Sequence, residues 1–505
     1  MDALIISCYL FLGALATHLA FRKRQKLPLP PGPPGEPIIG HLRKLPDDQN
    51  RAEVFYEWSL KYGDVFSLRV PGKTMIVLNS EKATVDLLEK RGAIYSDRVR
   101  LGYYDAIDWG DTIVFSPYNP FHHLQKKLYH QSFGKHVVSE YWPVQERESN
   151  ILLKGLMDYP QAYDKQVERF SGGVVSDIGF GHRIESFDDE YFQLSQQWGR
   201  VAHEGSRTSL LDLHPIFAHL PSWFPGAWFV NFIKETRPAM DIIGGGNYYK
   251  VEKEMERGSL VRPSYTSKHL EAMFRGEISP ELRRAIRKSG ATIFAAGAET
   301  TWSTTTMFIA CMLLHPKAQQ KAQEEIDRVI GRDRLPEFTD RDSLPFVTAV
   351  VYESFRWQPV LPLGLPHQSM ADDVYNGMFI PKGSIIIANS RAITWDPRSY
   401  HDPRSFKPER YLPQPEGAGE VFPMNSVFGW GRRICAGRHL AFDSVWIAVA
   451  RILATFTISP TKDAEGNFVK PEVRFTTALT RQAEPFVADI HPRDEAACRL
   501  IATLN

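Results

Sequence analysis

The chain has 505 residues, 43% of them hydrophobic, 12% aromatic and 24% charged, and its 60 basic and 59 acidic side chains leave a formal net charge of +1. So high an apolar fraction with so even a charge balance excludes a disordered or fibrous protein, and it gives no bulk electrostatic case for binding nucleic acid. Four cysteines are too few for a dense disulfide framework and point to a reduced compartment. Length alone suggests about three domains.

Residues 3–21, ALIISCYLFLGALATHLAF, are apolar apart from small hydroxyls, one cysteine and His18. A helix over that stretch reaches roughly 28 Å, enough to span a hydrocarbon core. Arg22, Lys23, Arg24 and Lys26 follow it while only Asp2 precedes it, so the positive-inside rule leaves the rest of the chain on the cytoplasmic side. A cleaved secretory signal would carry its basic residues before the apolar run, and the chain has no Asn-x-Ser/Thr acceptor. Residues 28–37, PLPPGPPGEP, concentrate part of the 35 prolines into a stiff, extended arm that holds a body off the membrane. The organisation expected is an anchor at 3–21, a basic and Pro/Gly-rich arm at 22–39, and one domain over 40–505, because no repeat or second linker interrupts it.

Residues 65–79 carry strand composition broken at Pro71-Gly72-Lys73, a hairpin signal, and residues 374–389 are β-rich around Asn376-Gly377 and Lys382-Gly383. Helical periodicity covers residues 83–90, 167–177, 317–330, 346–357 and 438–456. The expected fold class is mainly α with a small antiparallel β subdomain. Ser279-Pro280 starts the longest helix, and nothing breaks it before His315-Pro316. Ala296, Gly297 and Thr300 share one face there. Such small residues admit either a flat ligand or close packing of another helix.

The segment FGWGRRICAG at 428–437 places Cys435 among glycines and arginines just before a helix. The helix dipole and Arg432, Arg433 and Arg438 are expected to lower its thiol pKa, whereas Cys8, Cys311 and Cys498 read as ordinary buried cysteines. No second cysteine or histidine stands at zinc spacing. A lone thiolate fits axial ligation of haem iron, where the porphyrin supplies the other ligands.

The pattern Phe428-x-x-Gly431-x-Arg433-x-Cys435-x-Gly437 resembles the haem-binding signature of the cytochrome P-450 monooxygenases. In the family's order, Ala296-Gly297-Ala298-Glu299-Thr300-Thr301 resembles its oxygen-activating motif, Glu353-Ser354-Phe355-Arg356 its Glu-x-x-Arg motif, and Pro408-Glu409-Arg410-Tyr411 its Pro-Glu-Arg-Phe element. The resemblance implies the cytochrome P-450 fold, a single haem-centred domain behind an N-terminal transmembrane helix, with haem b as cofactor. It implies Cys435 as the axial ligand, softened by N–H groups near Ala436 and Gly437, with Phe428 and Gly437 framing the loop. Glu299 and Thr300 become an acid–alcohol pair relaying protons so that dioxygen is split and water leaves. Burial should raise the Glu299 pKa towards the neutral range such transfer needs. Glu353, Arg356 and Arg410 become a structural triad.

Arg433 and His367 occupy positions that bind haem propionate in similar proteins. The family often has Trp-x-x-x-Arg in an early helix, and here the pair is His122 and Lys126. Lysine keeps the charge and loses the bidentate fork. Lys126, Lys127, Arg432 and Arg438 would form a basic face for an acidic electron donor, by resemblance the NADPH-cytochrome P-450 reductase. The chain needs such a donor, since Gly244-Gly245-Gly246 lacks the context of a nucleotide-binding fingerprint.

By resemblance the pocket draws on residues 102–115, 210–220, 294–298, 360–364 and 476–479, rich in Leu, Ile, Val and Phe, so the substrate is hydrophobic. The aromatic loop LPSWFPGAWF at 220–229 suits contact with membrane lipid. The implied location is the endoplasmic reticulum membrane with a cytoplasmic catalytic domain. The chain looks most like fungal secondary-metabolism members, with a terpenoid or similar scaffold as substrate. Two other readings are a haem-thiolate isomerase or dehydratase that uses no O2, which the Glu299-Thr300 pair argues against, and a haem sensor without a large apolar pocket.

Overall fold

The computed structural model describes residues 27–46, 50–205, 211, 217, 219–276, 279–476 and 479–504. The anchor expected at 3–21, with Cys8 in it, lies outside the described residues. Among the described residues no helix is long and apolar enough to cross a membrane. The proline-rich arm, expected as a spacer, instead lies against the body. Ser67 donates its backbone N–H to the Pro31 carbonyl at 2.7 Å and its hydroxyl to the Pro30 carbonyl at 2.6 Å, and Phe379 N–H reaches the Pro28 carbonyl at 2.7 Å. Prolines bring carbonyls and no donors, so the arm satisfies strand N–H groups that would otherwise lack partners.

Val65–Val70 (β1) and Lys73–Leu78 (β2) form the expected hairpin, turning at Gly72 with φ +74°. The helix expected at 83–90 begins as Glu81–Thr84 and continues as a π-helical turn, wound more widely with i→i+5 bonding, over Val85–Lys90. Asp97–Arg98 (β3) leads to Pro120–Phe133 (α1), Trp142–Asp158 (α2), Tyr163–Phe180 (α3) and Glu190–Glu204 (α4). Then come Pro280–Leu314 (α5) and Pro345–Trp357 (α6), and the short strands His367–Gln368 (β4), Asp373–Tyr375 (β5), Met378–Ile380 (β6) and Ile385–Ala388 (β7). Arg438–Thr455 (α7) precedes a terminal ribbon of Phe456–Ser459 (β8) and Asp489–Pro492 (β9).

The strands β5 and β6 join through Asn376 and Gly377, both at positive φ (51° and 75°), as a two-residue hairpin requires. The larger sheet, of order β1-β2-β7-β4-β3, is mixed rather than antiparallel, because β2 and β7 run parallel. No turn joins those two strands: about three hundred residues, α1 to α6 among them, lie between them in sequence and serve as the long crossover that parallel pairing needs.

The central helix α5 is 35 residues long, roughly 52 Å at about 1.5 Å per residue. The Ser279 hydroxyl oxygen accepts the Leu282 N–H at 3.2 Å, Pro280 occupies the first turn, and Pro316 stops it after His315. It is buried on nearly every side, as a core helix should be. A Cβ at Gly297 would lie 2.4 Å from Val175 Cγ1 of α3. This glycine therefore serves close helix packing, and of the three small residues Ala296 and Thr300 are left to present side chains to a ligand.

Behind α6, Glu353 is fully buried and takes Arg356 through two bonds of 2.7 Å, Arg410 Nε at 3.1 Å, the Tyr411 hydroxyl at 3.1 Å and the Lys407 N–H at 2.8 Å. Arg356 also donates to the carbonyls of Thr394 and Pro403, so the group pins residues 394–411 against α6. Glu353→Gln keeps the shape and strands two buried guanidinium groups. Urea unfolding followed by circular dichroism should show a loss of about 3–5 kcal/mol.

Candidate active site

The cysteine loop owes its path to two glycines. Gly429 (φ +89°) and Gly431 (φ +57°) turn the chain back, and a Cβ at Gly431 would lie 2.1 Å from the Leu88 carbonyl oxygen. Cys435 N–H closes the loop on the Phe428 carbonyl at 2.7 Å, the Phe428 ring lies 5.4 Å from Phe355 of α6, and Gly437 caps α7. Cys435 opens onto a cavity of about 550 Å³.

Its thiol pKa is not lowered as expected. Burial raises it, against the opposing pull of the Gly437 N–H and Arg438. The other two arginines face elsewhere. Arg432 reaches the Tyr118 hydroxyl at 3.0 Å, and Arg433 donates to the carbonyls of Ser96 (2.7 Å), Ile113 (3.1 Å) and Ser116 (2.8 Å). A thiol kept neutral by burial becomes a thiolate when a metal cation takes the place of its proton. Cys311 is buried with its thiol pushed far up, as an inert cysteine should be, whereas Cys498 is exposed and not the core residue expected.

A second feature of the cavity is buried positive charge. Arg98 of β3 lines it and is held by the carbonyls of Val114, Leu365 and Pro366. Burial, then repulsion from Arg433, lowers the Arg98 pKa well below its ordinary value, and burial lowers that of Arg433 to about 10. The negative charge of Asp97 acts on both. Two buried cations so placed call for an anion between them.

His122, in α1, sits against Arg433, whose guanidinium donates to its Nδ1 at 2.9 Å. Burial and then Arg433 push the His122 pKa down to about 3, so the ring is neutral. An acceptor Nδ1 leaves the proton on Nε2, and that buried atom has no partner among the described residues. His367 has the opposite tautomer: its Nδ1 donates to the Tyr95 carbonyl at 2.7 Å and burial keeps it neutral. Lys126 spans from α1 to the Arg432 carbonyl at 2.6 Å. Two buried guanidinium groups, one orphaned N–H donor and a cavity-facing thiol match haem, which brings two carboxylates and a metal that binds sulfur. Cys435 would hold the iron, and Arg98, Arg433 and His122 the propionates.

Arg98 escaped the sequence reading because it lies on a two-residue strand. No periodicity marks so short an element, and the only local signal is the charged pair Asp97-Arg98.

Glu299 and Thr300 both line the cavity but do not bond to each other. The Thr300 hydroxyl donates to the Ala296 carbonyl at 2.8 Å, one of several such back-bonds on α5. Glu299 is 5% exposed. Its Oε1 accepts from the Thr480 hydroxyl and from Gln482 Nε2 at 3.4 Å. Burial raises its pKa to about 7, against the pull of Thr480, which is the direction expected. Thr480 is a further site residue the sequence reading missed: it stands 181 positions from Glu299, and only the fold brings the two together.

The remaining wall is apolar, with Trp109 stacked on Trp198 at 4.5 Å and Phe115, Ala202, Val360 and Leu479 around them. Four of these come from the expected segments at 102–115, 360–364 and 476–479. Of the stretch at 210–220, the described Leu211 packs instead with Ala227, Phe229 and Val230, and residues 477–478 lie outside the described residues. The loop residues Trp223 and Phe224 are 79% and 40% exposed.

The family model for cytochrome P-450 matches residues 30–484. A cytochrome P-450 monooxygenase of Postia placenta is 37% identical over 96% of this chain and 92% of its own length. One of Armillaria gallica is 35% identical over 99% and 98%, and one of Coprinopsis cinerea 34% identical over 97% and 93%. Among solved structures, a zebra fish cytochrome P-450 with abiraterone aligns with a TM-score of 0.71 at 25% identity, covering 89% of this chain and 99% of that one. A helical body with small sheets, a cysteine loop facing a cavity, and relatives matched end to end make this chain a member of the cytochrome P-450 family, whose enzymes are monooxygenases that hold haem through a cysteine thiolate.

Proposed function

We propose that the chain oxidises a hydrophobic natural-product scaffold, such as a terpenoid of fungal secondary metabolism, with Cys435 as the haem ligand and Glu299 and Thr300 handling protons. The observation that carries the reading is a single cavity with the Cys435 thiol, a buried carboxyl of pKa about 7 and an aromatic wall on its lining. Held by Cys435, haem would supply the oxidant for placing one atom of O2 in a C–H bond, the other atom leaving as water with two electrons and two protons. The protein's part is to orient the scaffold against Trp109, Trp198 and Phe115, exclude bulk water and deliver those protons. Glu299, fixed at Oε1 by Thr480 and Gln482, gains and loses a proton near neutrality. The Thr300 hydroxyl donates to the Ala296 carbonyl, which leaves its oxygen free to accept a hydrogen bond from a water that carries the Glu299 proton.

Electrons come from the membrane-bound NADPH-cytochrome P-450 reductase. Lys127 and Arg432 are exposed and the neighbouring Lys126 reaches the Arg432 carbonyl, which supports docking of an acidic surface. The span at 3–21 with the basic arm behind it, and the exposed Trp223 and Phe224, support a catalytic domain over 40–505 anchored to the endoplasmic reticulum membrane and resting on lipid.

Cys435→Ser should abolish the long-wavelength carbon monoxide band of the reduced protein, and with it turnover. With reductase, NADPH and a substrate, product should carry label from 18O2, and turnover without O2 would overturn the reading. Turnover should decline as pH rises through about 7 and Glu299 loses its proton, and Glu299→Gln should flatten that limb. Lys127→Glu should raise the KM for reductase roughly threefold at low salt, with the difference shrinking as salt screens it.

A further inference from the structure

The two carboxyl oxygens of Glu299 are not equivalent. Oε1 accepts from the Thr480 hydroxyl and from Gln482 Nε2 at 3.4 Å, while Oε2 has no hydrogen bond among the described residues and is not sealed in. Glu299 lines the cavity, so its free oxygen opens onto the ligand space. A tight hairpin carries the two donors to Oε1. Phe475 pairs with Ala483 across it, Thr476 N–H reaches the Gln482 carbonyl at 2.8 Å, and Gln482 N–H returns to the Thr476 hydroxyl oxygen at 2.9 Å. Arg481 N–H bonds the Val360 carbonyl at 2.7 Å, which ties the hairpin to the cavity wall, and the Arg481 guanidinium faces Glu53 at 3.6 Å. Thr480 is buried, and among the described residues its hydroxyl serves Glu299 and nothing else.

We propose that Thr480 is the positioning residue of proton delivery: by donating to Oε1, with Gln482 beside it, it makes that atom the carbonyl oxygen of the protonated acid and places the transferable proton on Oε2, the oxygen that opens to the cavity. A proton on Oε1 would meet two donors head-on, whereas a proton on Oε2 leaves both bonds intact and has only the cavity to point into. The same bond sets where the acid titrates. Burial raises the Glu299 pKa and the Thr480 hydroxyl opposes it, because a donor binds the carboxylate more strongly than the neutral acid. Other titratable groups of the lining, Arg98, His122, His367, Arg433 and Cys435 among them, take no part in that shift, and the Tyr104 phenol feels the Glu299 charge. The inference deepens the monooxygenase reading and rests on it.

The test is made on the resting ferric holoenzyme with no electrons supplied. The infrared band of the protonated Glu299 carboxyl is isolated by subtracting the spectrum of the same protein carrying Glu299→Gln. Glu168, whose carboxyl burial also raises to about 7, is present in both and cancels. Thr480→Val should move the carboxyl band to higher frequency, because the C=O loses a donor. It should also raise the titration midpoint by about one pH unit, a tenfold tighter hold on the proton. Thr480→Ser should restore band and midpoint. Gln482→Leu should shift both in the same direction by less, and it decides if Thr480→Val does not fold. Were the proton on Oε1, Thr480 would be its acceptor, and Thr480→Val would lower the midpoint. A lowered or unchanged midpoint therefore overturns the proposal, and so does a Thr480→Ser that titrates like Thr480→Val. The carbon monoxide band is read on reduced portions of the same samples. Where it is normal, a failed infrared result falls on the positioning of Glu299 and not on the monooxygenase reading.

Discussion

A single buried carboxylate governs the arrangement of this protein. Glu353 has no access to water, and its cost of burial is met only because two guanidinium groups, a phenol and a backbone N–H converge on it. Its partners come from α6 and from residues 407–411, so the ion cluster forms only when a late, irregular stretch of chain has found the helical core. The cysteine loop follows that stretch directly, and Phe428 packs on α6 beside the cluster. Placement of the reactive thiol is thus inherited from an electrostatic contact that takes no part in chemistry.

Much of this was legible from residues. Ser279-Pro280 and His315-Pro316 bound the long helix because capping and proline geometry are local effects, and Asn376-Gly377 marks its hairpin because only such residues accept positive φ so readily. What was not legible depends on chain segments far apart in sequence. The parallel pairing of β2 with β7 needs the helices from α1 to α6 as a connection. Gly297 could face a ligand or a helix on sequence grounds, and only the position of Val175 decides for the helix. Cys435 was expected to be acidic because three arginines stand near it in sequence, yet side-chain direction leaves only Arg438 to act on the thiol, and burial prevails.

The polar lining of the cavity divides by chemistry. Towards β3 and α1 the unsatisfied groups are cations and an N–H donor, suited to carboxylates. Around Glu299 the polar groups are a carboxyl near neutrality and the Thr480 hydroxyl and Gln482 amide that hold it. The cavity therefore has one pole for a cofactor and another for the proton-handling acid, and the apolar wall between them confers affinity without orientation.

The crowding of Arg98 against Arg433 bears on how the protein matures. Without an anion between them the folded chain carries an internal repulsion that the unfolded chain lacks, since water screens the same side chains there. An anionic cofactor bound there would offset that repulsion, and a bond to the Cys435 sulfur would add to the gain, so the loaded chain would outlast the empty one against unfolding and the proteolysis that follows it.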